Sequence, residues 1–279
     1  MLLRVTHETT FEYSEPIANS VMEARLRPAS HERQIVRSSS LDLSPHARQF
    51  PYTDYFGNTV HFFTIPVRHR RLSLISRSVV QTLPARQLAE DGPVPMGPHT
   101  GALWEYLQFD GPVCRHPELF DWADRFGEIA ELMPRLEALN HHIHEHFEYK
   151  PKTTSVDSTV ADVLSGGSGV CQDFAHLMIG VCRAMRLPAR YVSGYIFTNR
   201  ASGVRGQDAS HAWCQVHLPG WGWLALDPTN DLLVDERYVE VAVGRDYRDV
   251  PPTKGIYRGS AAEAMSVAVH TEIDDSAAG

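Results

Sequence analysis

Residues 166–188 read GGSGVCQDFAHLMIGVCRAMRLP, and the fold is decided here. The glycines open a loop whose backbone can approach another group closely. From there Val170, Phe174, Leu177, Val181 and Met185 form one apolar stripe, which predicts a helix that Pro188 stops. Past Pro188 the period changes from helical to alternating. ARYVSGYIFT (189–198), SHAWCQVHLP (210–219) and GWLALDPT (222–229) predict strands, and the short turn at Pro219 to Gly222 predicts an antiparallel pairing of the last two. Upstream, Thr100 to Phe109, Pro117 to Phe126, Met133 to Phe147 and Thr159 to Leu164 read as helices. Helices followed by strands imply an α+β core, with helices packed on an antiparallel sheet.

The first third of the chain reads differently. From Leu3 to Leu83, short alternating runs separated by turn residues, with a hairpin signal at Gly57-Asn58, predict an antiparallel sheet or sandwich of about six strands. Pro84 to Gly101 has the Pro and Gly punctuation of a linker. The expected organisation is a β-sandwich-like domain over 1–90, a catalytic core over 91–235, and an extension over 236–279. That extension carries one alternating run, AMSVAVHTEI, and a polar end expected to fray.

Composition narrows the function. The 279 residues hold 26 Lys and Arg against 34 Asp and Glu, a net charge of −8, so a nucleic-acid partner is not expected. Hydrophobic residues at 43% and charged residues at 22% describe a chain able to bury a sizeable core. No apolar run approaches the ~20 residues of a membrane span, and MLLRVTHETTFEY lacks an apolar signal core, so a cytoplasmic setting without a membrane partner is expected. The four cysteines, Cys114, Cys171, Cys182 and Cys214, show no CxxC spacing. Cys171 and Cys182 on one helix would stand about 16 Å apart, beyond disulfide reach. All four read as free thiols. His142 and His146 have the i, i+4 spacing of a metal pair, but HIHEHFE is not HExxH, and His141, His142, His144 and His146 read as a solvated helix face. No metal, no calcium-binding loop and no other cofactor is expected.

Cys171 opens the predicted helix, where unpaired N–H groups and the helix dipole favour the thiolate, the reactive form of cysteine. Taken alone, it reads more readily as a small buried hydrophobe, since free cysteines are usually buried and inert. His211 and Asp227 change that. If His217 pairs with Trp223 across the hairpin, Trp213 lies opposite Asp227, and His211 and Asp227 become diagonal neighbours ~7–8 Å apart at Cα. An acid can then hold the imidazole tautomer while the other ring nitrogen faces a thiol. A one-residue slip of register would separate them.

Four ordered blocks carry a resemblance: GSGVCQDFAH (167–176), PARYVSGY (188–195), DASHAW (208–213) and GWLALDPT (222–229). Together they resemble the core of the bacterial transglutaminase-like family over roughly 149–231. The Leu3 to Leu83 half is similar to the β-rich region often attached to that core, and VAVGRDYRDV (241–250) resembles a further family block. The resemblance implies a papain-like fold, with Cys171 as nucleophile, His211 as base and Asp227 as the residue that orients the histidine. The Cys171 N–H with Tyr149 or Gln172 would supply the oxyanion donors. Trp213, Trp221 and Trp223 are candidates for the wall of a substrate groove, although aromatic residues near a hairpin also serve ordinary packing.

The implied activity is cofactor-free acyl transfer on a protein or peptide substrate, at a peptide or glutamine-type amide, through a thioester. Hydrolysis is favoured, because cross-linking must exclude water at ~55 M in favour of a scarce amine. The alternatives are protein-glutamine amine transfer and a non-catalytic scaffold that kept the fold. No phosphate-cradling loop supports a coenzyme A donor.

Overall fold

The alternating runs at either side of Ser14-Glu15-Pro16 are joined, in a computed structural model, into one 23-residue strand, β1 (Leu2–Ala24). The structure describes residues 1–84, 101–151, 153–198, 205 and 209–274. Strands β2 (Gln34–Ser44), β3 (Gln49–Thr53), β4 (Thr59–Ile65) and β5 (His69–Thr82) follow. The hairpin expected at Gly57-Asn58 joins β3 to β4, with Asp54 accepting the N–H groups of Phe56 and Asn58. β3 has no sequence signature: QFPYT contains a proline and is almost wholly exposed.

β1 organises this half. Its first part pairs with β5, its register shifts between Glu12 and Ile17, and its second part pairs with β4. One strand thus serves two halves of a curled antiparallel sheet of order β2-β5-β1-β4-β3, the form taken by the sandwich expected from sequence. Phe11, Ile17, Leu26, Phe63, Leu72 and Leu74 fill the curl.

The core begins with a 3-10 turn (Gly101–Leu107) where an α-helix was expected. Buried Arg183 donates to the Tyr106 and Gln108 carbonyls, which the end of the turn leaves without a helical partner. Next come α1 (Pro117–Gly127), α2 (Leu132–His146), β6 (Glu148–Tyr149), α3 (Val160–Gly166), β7 (Ser168–Gly169) and α4 (Cys171–Ala184). Eleven of the fourteen residues of α4 are buried, because α1, α2 and α3 wrap it on one side and the core sheet on the other. At about 1.5–3 kcal/mol for each large apolar side chain removed from water, Phe174, Leu177 and Val181 anchor it firmly.

The core sheet is β8 (Ala189–Ile196), β9 (His211–Leu218), β10 (Gly222–Asp227), β11 (Leu232–Leu233) and β12 (Tyr238–Gly244), in the order β11-β10-β9-β8-β12. Among its described residues, the segment 236–279 carries three strands instead of one. β12 completes the core sheet, whereas β13 (Thr253–Arg258) and β14 (Glu263–Ile273) cross back and pair with β1. The chain ends therefore tie the two sheets together. The linker expected over Pro84 to Gly101 and the last residues of the tail lie outside the described residues.

The edge strand β12 is closed by two side-chain amides from the N-terminal half. Asn58 donates to the Val243 carbonyl and accepts from its N–H, both at 2.8 Å, and Gln34 does the same at Glu240 at 2.7 and 2.8 Å. A primary amide offers a donor and an acceptor side by side, so each mimics a neighbouring strand. Among the described residues, no helix is long and apolar enough to cross a membrane.

Candidate functional site

Cys171 is the first residue of α4 and is partly exposed. The loop before it is held by Asp173, whose Oδ2 accepts the Val170 N–H at 2.8 Å and the Thr154 hydroxyl at 2.6 Å. Gly169 is needed for this approach, since a Cβ there would stand 2.8 Å from that of Asp173. Cys182 and Cys214 lie in the core, where burial pushes Cys182 up to about 12 and Cys214 well above its ordinary value. All four cysteines are free.

His217 pairs with Trp223 across the β9–β10 hairpin, and the ladder continues to Leu226 opposite Cys214. The same register sets Asp227 beside Trp213 and brings its side chain to His211. Nε2 of His211 meets Oδ2 of Asp227 at 2.7 Å, with both side chains fully buried. Asp227 also accepts the Tyr238 hydroxyl (2.8 Å) and the Asn230 amide (2.8 Å) on Oδ2, and the N–H groups of Thr229 (2.9 Å) and Asn230 (3.3 Å) on Oδ1. Burial by itself would raise the Asp227 carboxyl, yet His211 and these donors hold it below its ordinary value. Burial would likewise lower the His211 imidazole, but Asp227 outweighs it, helped by the Cys171 sulfur, and raises it. With Nε2 committed to Asp227, Nδ1 is the ring nitrogen left over; it is buried and, among the described residues, has no hydrogen-bond partner.

Tyr149 sits on β6, which pairs in parallel with β7 immediately before the Cys171 loop. Burial pushes its phenol up to about 12, aided by the nearby Cys171 and opposed by Arg205, so the hydroxyl stays neutral. Gln172 does not share that place, because its amide donates to the Val156 carbonyl at 3.2 Å. The tryptophans correct the groove expectation. Trp213 is 1% exposed, packs edge-on to Tyr238 with centroids 5.3 Å apart, and fills the space over Gly194, so it cannot line a groove. Trp223 lies six residues of β9 from His211, about 20 Å along the strand. There it packs on Arg190, Tyr106 and His217. Trp221 belongs to the same hairpin turn and packs against the main core.

The α2 histidines are a solvated face only in part: His141 and His146 are exposed, His142 and His144 half-buried. His142 packs edge-on to Trp122 at 4.9 Å and against Phe126, while His141 meets Asp231 at 2.7 Å and His144 donates to the Thr229 carbonyl at 2.9 Å. Asn140 donates to the Asp227 carbonyl (3.3 Å) and to Asp231 (3.1 Å). α2 is thus a brace under the loop that presents Asp227. Sequence reasoning missed Asn140, Asn230 and Tyr238. Asn230 had a local signal, an Asx residue three past Asp227 in a Pro-containing turn; Tyr238 and Asn140 had none. Among the described residues, no group of three or more His, Cys, Asp or Glu side chains gathers to hold a metal.

A cysteine at the head of a central helix, against a sheet that offers a His–Asp pair, is the architecture of the papain-like enzyme class. The comparisons agree. Residues 3–81 match the bacterial transglutaminase-like N-terminal region and residues 121–228 the transglutaminase-like superfamily. The chain belongs to the bacterial transglutaminase-like family. An uncharacterised Mycobacterium leprae protein is 36% identical over 284 residues, covering 96% of this chain and 97% of that one. A Pseudomonas aeruginosa protein named protein-glutamine gamma-glutamyltransferase is 32% identical over 169 residues, covering 56% of this chain and 25% of that protein. A crystal structure from Cytophaga hutchinsonii, described as a candidate cysteine protease, shares the fold at a TM-score of 0.79 and 24% identity, covering 97% of this chain and 90% of that one.

Proposed function

We propose that this protein is a cysteine-dependent acyl-transfer enzyme that cleaves a peptide or glutamine-type amide of a protein or peptide substrate and passes the acyl group to water. The observation that carries the reading is the buried 2.7 Å pair between His211 Nε2 and Asp227 Oδ2, which leaves Nδ1 available to Cys171, whose sulfur is near enough to raise the imidazole. The Cys171 sulfur attacks the amide carbonyl, and its oxyanion is met by the Cys171 N–H and the Tyr149 hydroxyl. His211 gives its Nδ1 proton to the departing amine, and a thioester remains. Water then enters, His211 takes its proton, and the thioester breaks to a carboxylic acid and the restored sulfur. Asp227 keeps the imidazole in the working tautomer throughout.

Hydrolysis is favoured over amine transfer because the tryptophans that could have shielded a thioester from water are spent on packing. The Pseudomonas relative's name supports the second reading, transfer to a primary amine. The test supplies an amide peptide library with saturating primary amine and quantifies both products. Carboxylic acid as the main product, lost in Cys171→Ala and His211→Ala, is expected. Predominant amine adduct would reverse the choice of acceptor, and undiminished turnover in His211→Ala would sink the mechanism.

A further inference from the structure

Several arginines of this protein sit against carboxylates: Arg25 on Asp54, Arg77 on Asp42, Arg237 on Asp235, Arg245 on Asp249 and Arg248 on Asp246. Among the described residues, Arg205 meets no carboxylate. Its backbone is clamped by Asn230, which accepts the Arg205 N–H at 2.7 Å and donates to its carbonyl at 3.2 Å. The same Asn230 amide donates to Asp227 at 2.8 Å. Arg205 is therefore one side chain away from the residue that holds His211. Its guanidinium carbon lies 5.5 Å from the centre of the Tyr149 ring, whose phenol is influenced by Cys171, Arg205 and Asp227 together. Within this setting Nη1 is shut off from solvent and, among the described residues, meets no acceptor.

A guanidinium presents donors in a planar fork that matches a carboxylate, and a buried donor left unpaired is costly. Stacking on Tyr149 satisfies the face of the cation and leaves that edge open. Asp227 cannot fill it, since both of its oxygens are already taken by His211, Tyr238, Asn230 and Thr229. The guanidinium that carries this edge lies against Tyr149, the residue assigned to the oxyanion.

We propose that Arg205 is a specificity-determining residue that pairs with a carboxylate of the substrate, so that the enzyme prefers acidic peptides or amides. The inference rests on the assignment of Cys171 as nucleophile. Asn230 then has two tasks: it orients Asp227 and it fixes the arginine that selects the substrate.

Two alkylating probes of similar size and opposite character test this without knowledge of the natural substrate. Iodoacetate carries a carboxylate and iodoacetamide does not, and the ratio of their rates at Cys171 cancels any change in thiol reactivity common to both. The wild-type ratio is expected to exceed that of Arg205→Gln by about fivefold or more, given the usual strength of charged hydrogen bonds discounted for solvent access. Arg205→Lys should retain part of it, and N-acetylglutamate should slow iodoacetamide labelling of the wild type more than N-acetylglutamine does. Equal ratios in wild type and Arg205→Gln would overturn the proposal. Failure of the underlying reading looks different, because Cys171 would then react no faster than Cys182 or Cys214 with either probe. In that case binding of N-acetylglutamate against N-acetylglutamine, followed by NMR on wild type and Arg205→Gln, still decides the role of Arg205: discrimination lost in the variant supports it, and equal binding overturns it.

Discussion

Asp227 bears the greatest concentration of polar contacts at the site, and its neighbours set what each substitution does. Asp227→Asn keeps an acceptor for His211 but removes the charge that outweighs burial, so the imidazolium should titrate at lower pH than in the wild type. Nitrogen-15 NMR of the His211 ring reads this directly, and an unchanged titration would remove Asp227 from its role. Turnover should fall less in Asp227→Asn than in Cys171→Ala or His211→Ala, because geometry survives while the tautomer preference weakens. Tyr238→Phe removes one of the donors to Oδ2 and should cost about 1 kcal/mol of stability in chemical denaturation, with a loss of turnover far smaller than at the three central residues.

α4 and α2 do different work at the scale of elements. α4 holds the nucleophile in place by burial, so Phe174→Ala or Leu177→Ala should cost about 3–5 kcal/mol by leaving cavities in a helix with little room to collapse. Arg183, near its far end, donates to the carbonyls of Tyr106, Gln108, Ala189 and Arg245. Arg183→Met would strand these acceptors, and a loss of about 3 kcal/mol or more is expected in urea unfolding. α2 acts on the loop after β10. Asn140→Ala should lower turnover beyond its effect on stability, because the carbonyl it binds belongs to Asp227 itself. A variant with normal turnover and merely reduced stability would show that the brace is only structural.

The whole molecule depends on the docking of its two sheets. Asn58→Ala removes both bonds to Val243 at the buried edge of β12 and should cost about 1–3 kcal/mol while exposing a strand edge that promotes association, measurable by denaturation and light scattering. Two deeply buried histidines set the pH response. His7 is held by Tyr195 and Thr9 at the sheet junction, and His176 accepts the Tyr247 N–H. Burial lowers them to about 4 and about 3. Both are therefore neutral when folded. The unfolded chain takes up protons that the folded chain refuses, so this part of the stability is complete above about pH 6.5 and is lost as the pH falls toward those values. The denaturation midpoint should decline from pH 7 to pH 4, by up to about 1.4 kcal/mol per pH unit for each histidine. His176→Gln, which keeps an acceptor for Tyr247, should flatten that decline; an unchanged slope would show that His176 is not buried as the neutral base.

The local pattern by itself determined the α4 helix and the β9–β10 hairpin, whereas the register that brings His211 to Asp227 was a condition there and is supplied by the structure. Helical and strand periods are short-range properties. Tertiary structure alone decided the rest. Tyr238 reaches Asp227 from β12, Asn140 reaches it from α2, and Asn58 and Gln34 close an edge some 185 and 206 residues away along the chain. No local period encodes such contacts. The aromatic residues near the hairpin misled for the same reason: alternation says which face a tryptophan takes, but not whether that face meets solvent or, as for Trp213, another layer of the protein.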